Sequence, residues 1–135
     1  RGVYITVAVG KPEWSAVLGD NGNYVVSPGQ WSPQAVSPCA VFGSISDYVK
    51  LFNETFGYVP DYDTAMSSFG GVLMQLSMQE AGSVARRNIL DSLSLMTAET
   101  IMGRVRFSVE RRNIGRDPIL MQVQNQVARL ALPQE

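Results

Sequence analysis

The chain has 135 residues, with 11 Lys+Arg against 12 Asp+Glu, no histidine, one cysteine and a formal net charge of −1. That length is one ordinary domain or a piece of a larger one, and 45% apolar residues argues for a packed core and against disorder. The balanced charge offers no global field for nucleic acid or an anionic membrane; the missing histidine removes Ser-His-Asp and Cys-His catalysis and the commonest zinc ligand.

Cys39, standing alone, leaves no internal disulfide and no cysteine metal cluster. No apolar run is long enough to span a bilayer. No signal peptide is visible and the chain starts at Arg1 without an initiator Met, so the natural N-terminus is expected to lie upstream. No carboxylate sits in a motif for acid–base work. The expectation from these residues is no enzyme and no cofactor.

In chain order, Val3 to Val9 is β-branched and apolar between Gly2 and Gly10, which predicts a buried strand. Lys11 to Leu18 contains Pro12 and reads as a loop with room for one helical turn. Gly19 to Asn23 is turn chemistry. Tyr24 to Ser27 reads as a second short strand, stopped by Pro28 and Gly29. Ser27 to Ser44 holds Pro28, Pro33 and Pro38, a stiff extended passage suited to crossing between two bodies.

The middle is helical. Ser44 with Asp47 forms a capping-box-like start, Ile45, Val49, Phe52 and Phe56 share one face, and Gly57 ends the helix in the left-handed position. Pro60 and Asp61 open a longer helix with the stripe Ala65, Phe69, Val72, Leu73 and Leu76. Gly70 and Gly71 interrupt it, which predicts a close backbone neighbour. Gly82 stops it. Ser83 is the expected cap of a third helix, with Ala85, Ile89, Leu90 and Leu93 facing the core. Val105, Phe107 and Val109 then alternate with polar residues, as do Ile119, Met121 and Val123. Val127 to Leu132 follows Asn125-Gln126, so a hairpin is expected. The first strands need sheet partners that the far end, or a missing partner, must supply.

Several local motifs occur in one order. Leu18-Gly19-Asp20 precedes the short strand and Gln30-Trp31; Tyr48 to Gly57 (YVKLFNETFG) precedes Pro60-Asp61-Tyr62. Glu80-Ala81-Gly82-Ser83 leads to Asn88 to Leu93 (NILDSL). Gly103 to Phe107 (GRVRF), Arg112-Asn113-Ile114-Gly115, Gln122-Val123-Gln124 and Pro133 complete the set. Together they resemble the last third of type I periplasmic binding proteins, those that serve branched-chain amino-acid ABC transporters, and the receptor ligand-binding domains that share their clamshell. The resemblance covers essentially the whole chain. It departs at Ser108-Val109-Glu110, where the family usually carries Asp or Asp-Glu, and at the Asn125-Gln126 turn, usually Gly or Asp-Gly.

The resemblance implies an α/β fold, the C-terminal portion of a partial two-lobed module whose lobes are three-layer α/β/α. It assigns residues 1–37 to lobe 2, residues 38–114 to the helices and strand of lobe 1, and residues 115–135 to the return into lobe 2. It implies capture of a small molecule, an amino acid or similar compound, in the periplasm or outside the cell. The partners it implies are the remainder of the module and a membrane transporter or receptor, with no nucleic acid. Because the first half of lobe 1 lies outside the chain, much of the cleft is expected to be missing. The alternative is a structural or interaction module that keeps the scaffold and has lost ligand binding.

Five residues are candidate ligand contacts. Gln30 and Trp31 lie at a crossing, where an indole face and an amide can meet a ligand; the competing role for Trp31 is a hinge wedge. Glu13 and Trp14 lie past the first strand, where α/β sheets place their crevices; Glu13 suits an ammonium group, or is simply solvated. Tyr62 opens a helix, a position suited to an anionic group, or packs the helix entry. Asn53-Glu54-Thr55 is a glycosylation sequon of a kind that arises by chance. Arg86-Arg87 and Arg111-Arg112 read as solvated faces, and Met74 and Met78 as packing.

Overall fold

The computed structural model describes residues 9–132. The strand expected over Val3 to Val9 lies outside that range except for Val9. The chain divides into two compact units, Arg1–Ala35 with Pro118–Glu135, and Val36–Asp117.

The first unit is built around a three-stranded antiparallel sheet in the order β1-β6-β7, formed by β1 (Val26–Gly29), β6 (Ile119–Gln124) and β7 (Val127–Leu132). The far end of the chain thus supplies the partner that the early strand needs. Alternation along β6 buries Ile119, Met121 and Val123, which join Val9 and Val25 in one core, with Trp14, Ala128 and Leu130 packed on it. β1 starts later than the sequence suggests. Tyr24 takes a positive φ of 63° and belongs to the preceding turn, whereas Pro28 and Gly29 are inside the strand. Proline is tolerated because β1 is an edge among the described strands, so its missing N–H breaks no ladder bond.

The segment expected to be a loop with room for one helical turn is the seven-residue helix α1 (Pro12–Leu18), followed by a 3-10 turn over Gly19–Gly22. Pro12 stands in the first turn, where a backbone N–H has no helical partner to lose. Asn125 and Gln126 join β6 to β7 with φ of 51° and 63°. Both are left-handed, as a two-residue hairpin turn of type I′ requires.

The second unit carries the three helices. A short hairpin, β2 (Pro38–Cys39) with β3 (Gly43–Ser44), leads into α2 (Ile45–Phe56). The Ser44 hydroxyl oxygen accepts the Asp47 N–H at 3.0 Å and donates to the Asp47 carboxylate at 2.6 Å, and Gly57 ends the helix at φ 79°. Its buried face is Ile45 and Tyr48; Phe56, expected inside, is 61% exposed. The rings of Phe42, Tyr48, Phe52 and Phe56 run as a ladder with successive centroids 5.2, 5.9 and 4.5 Å apart, and this ladder pulls the buried face toward Tyr48.

Helix α3 (Tyr62–Ala81) begins at Asp61, whose carboxylate accepts the Thr64 N–H at 2.9 Å, and ends at left-handed Gly82. Ala65 and Val72 of its stripe are buried, while Phe69, Leu73 and Leu76 are half-buried. The close neighbour expected at Gly70 and Gly71 is absent among the described residues: a Cβ at either position meets nothing within 4 Å.

Helix α4 (Arg86–Leu95) is capped at Ala85, and Ser83 instead accepts the Ala85 N–H in the approach to it. None of its residues is fully buried, against the expected core face. The hairpin β4 (Thr97–Thr100) with β5 (Gly103–Arg106) follows; β4 was not foreseen, and β5 ends before Phe107. Val109, expected inside, is 94% exposed. Thr100, Ile101, Met102 and Val105 are buried, and the Thr100 hydroxyl closes the turn on the Gly103 carbonyl at 2.7 Å. Beyond β5, the Asn113 carboxamide oxygen accepts the N–H groups of Arg106 and Gly115 at 3.1 and 3.0 Å. A Cβ on Gly115 would stand 2.6 Å from the Arg104 carbonyl oxygen, so no side chain fits there.

Candidate functional site

Four of the five candidate residues belong to the first unit. Glu13 is exposed in the first turn of α1. Trp14 is half-buried; its Nε1–H donates to the Gly22 carbonyl at 3.3 Å while its ring packs on the β6 core. Its polar tip and much of its apolar face are therefore committed within the unit. Gln30 is exposed directly after β1, and Trp31 beside it is buried, 4% exposed. The adjacent Ser32 is buried as well, and its hydroxyl oxygen accepts the Gln34 N–H at 3.2 Å.

Gln34 was not singled out from the sequence. Its amide donates to the Ala128 carbonyl at 3.3 Å and accepts the Leu130 N–H at 3.2 Å, pairing with β7 as a short strand would. This bond pair anchors the segment carrying Gln30 and Trp31 to the sheet. Its partners lie more than ninety positions away, so nothing local marks it.

Tyr62 lies in the second unit as the first residue of α3, half-buried after its cap Asp61. Sequence reasoning missed Arg116 of the same unit. Arg116 is half-buried, desolvation lowers its pKa from the ordinary arginine value, and nearby Tyr62 acts in the opposite direction. Its Cδ stands 3.0 Å from where a Cβ on Gly103 would be, so Gly103, at φ 83°, makes room for it.

Two recesses among the described residues lie in the second unit. One of about 630 Å³ is lined by Leu76, Glu80, Asn88, Ser92, Met96 and Thr97 among others, and the Ser92 hydroxyl is buried there with no hydrogen-bond partner among the described residues. The other, about 390 Å³, lies between α4 and the residues after β5. None of the five candidates lines either one. Among the described residues no three His, Cys, Asp or Glu side chains cluster as metal ligands, and no helix is long and apolar enough to cross a membrane.

No family model matches the sequence. Solved structures do. A branched-chain amino-acid ABC transporter protein from Rhodospirillum rubrum superposes with a TM-score of 0.75 at 20% identity, over 96% of this chain and 36% of that one. The chain has the fold of part of a type I periplasmic binding protein. A leucine-binding protein from Thermotoga maritima gives a TM-score of 0.72 at 18% identity, over 88% of this chain and 33% of that one. A substrate-binding protein from Desulfitobacterium hafniense, in complex with Leu, gives 0.70 at 18%, over 96% and 43%. The chain therefore spans between a third and a little over two fifths of the length of these periplasmic-binding-protein structures.

Proposed function

We propose that the chain is part of an extracytoplasmic module that captures an amino acid or similar small compound between two lobes and serves a transporter or receptor. In this reading residues 1–37 and 115–135 belong to lobe 2 and residues 38–114 to lobe 1. The remainder of the module is a required partner, and the chain does no catalysis. The observation that carries the reading is the superposition of nearly the whole chain on substrate-binding proteins, one of them in complex with Leu.

Gln30, Trp31, Trp14, Glu13 and Tyr62 are proposed as ligand-facing positions, with Gln30 and Glu13 both exposed. Function drawn from a shared fold needs a direct test. Calorimetry with leucine, isoleucine and valine on a protein containing both complete lobes is expected to show binding, weakened by Gln30→Ala. The 135-residue chain alone is expected to bind weakly or not at all. Tight leucine binding by the chain alone would contradict a site shared with the missing part.

A second reading has one observation in its favour. Both tryptophans are turned to packing, Trp31 by burial and Trp14 by its bond to Gly22. That suits a structural or interaction module that has lost binding. It becomes the better reading if the complete module binds none of the common amino acids.

A further inference from the structure

Charge in this chain is not evenly spread. Residues 86–112 carry Arg86, Arg87, Arg104, Arg106, Arg111 and Arg112 against Asp91, Glu99 and Glu110, a local excess of three positive charges in a chain whose net charge is −1. All six arginines are exposed. Arg87 pairs with Asp91 at 3.4 Å and Arg104 with Glu99 at 3.7 Å, both at the surface, where such pairs are weak and exchange readily. Among the described residues Arg86, Arg106, Arg111 and Arg112 have no ion-pair partner.

Two of the arginines, Arg87 and Arg111, line the recess of about 390 Å³ together with Leu90, Leu93 and Phe107, and Asp91 and Ser94 complete the lining. Leu93 and Phe107 are half-buried and Leu90 is 39% exposed. An apolar floor of Leu90, Leu93 and Phe107 with two arginines on the same lining accepts a particular chemistry. The floor takes an aliphatic side chain, and each guanidinium takes a carboxylate in its two-pronged donor geometry. Asp91, on the same lining and paired with Arg87, divides the positive charge there into separate points. That disfavours a continuous polyanion and suits carboxylates set apart along a chain.

We propose that this recess docks an acidic segment of a partner protein, with an apolar side chain of that segment on Leu90, Leu93 and Phe107 and its carboxylates on Arg87 and Arg111. The contact is charge-steered and therefore weakens as salt rises.

The test uses a fluorescein-labelled synthetic peptide of alternating glutamate and leucine, titrated by anisotropy with the 135-residue chain at low and physiological salt. A glutamine-for-glutamate version of the peptide is the control, and dichroism verifies that each variant is folded. Binding of the acidic peptide is expected, with about tenfold loss in the Arg87→Gln/Arg111→Gln double variant and no change in Arg129→Gln, which lies outside the recess; a tenfold loss corresponds to about 1.4 kcal/mol. No binding, equal binding of the glutamine peptide, or binding unaffected by the double variant overturns the proposal. So does binding to phosphatidylglycerol vesicles without binding to the peptide, which would make the face a membrane contact.

Discussion

The carboxamide oxygen of Asn23 accepts the backbone N–H of Gln126 at 2.7 Å, across 103 positions of sequence. Gln126 is held on two further sides. Its amide donates to Asp20 at 2.9 Å, and its carbonyl accepts the Ser15 hydroxyl. A glutamine at φ 63° is unfavourable by itself. Three contacts from α1 and the turn after it hold the β6–β7 hairpin in a shape its own turn residues favour weakly.

Asn23→Ala is therefore expected to lower stability by about 1 kcal/mol, the net worth of one such bond, and to speed hydrogen exchange at the Gln126 amide. Asn23→Asp keeps an acceptor and should retain most of the protection. Unchanged exchange in the alanine variant would mean the turn stands on its own.

The same contacts show why the sequence was legible in some places and opaque in others. Ser44, Asp61, Gly57 and Gly82 act through bonds within one helical turn, so their roles as caps could be read directly. Alternation along β6 was equally plain. Pro12 and Pro28 misled because a proline's meaning depends on position: a breaker inside an element, harmless in a first helical turn or on a sheet edge. Thr97–Thr100 has no strong apolar pattern, and its strand character comes from pairing with β5. For the site, the candidate positions could be named, but the burial of Trp31 and the half-burial of Arg116 are tertiary outcomes with no local signal.

Gly22 and Trp14 make a second test. A Cβ on Gly22 would stand 2.7 Å from the indole Nε1 and 3.2 Å from the Leu18 Cβ. Gly22→Ala must displace the indole and break its bond to the Gly22 carbonyl. The expected cost is about 1–3 kcal/mol, as for other overpacked sites, with a red shift in the Trp14 emission read in a Trp31→Phe background. An unshifted spectrum would show that Trp14 is not seated against Gly22.

Gly70 and Gly71 point the other way. Both are exposed in the interior of the 20-residue helix α3, and a Cβ at either one would have nothing within 4 Å. Alanine there removes backbone freedom from the unfolded chain without a clash, so each substitution is expected to raise stability by about 0.5–1 kcal/mol in urea unfolding of this chain. A loss of stability would reveal a neighbour packed on that face.

Tyr48 gives the pH dependence. It is buried against Phe42 and Phe52, and its hydroxyl donates to the Ser68 Oγ at 2.9 Å, joining α2 to α3. Burial raises its pKa above the ordinary value of 10.0, only partly offset by the bond to Ser68, while Tyr58 and Asp61 add to the rise. The folded state thus keeps the phenol proton to higher pH than the unfolded chain does. Below the unfolded value the contribution to stability is fully present. As pH climbs past about 10, the unfolded chain ionises first and gains free energy that the fold cannot match, so stability falls until the folded pKa is reached. Urea midpoints measured from neutral to strongly alkaline pH should therefore decline more steeply in the wild type than in Tyr48→Phe. The phenylalanine variant should be less stable at neutral pH by about 1 kcal/mol, for the lost bond to Ser68, and the gap should narrow as pH rises. Parallel curves for the two proteins would place the alkaline loss elsewhere in the chain.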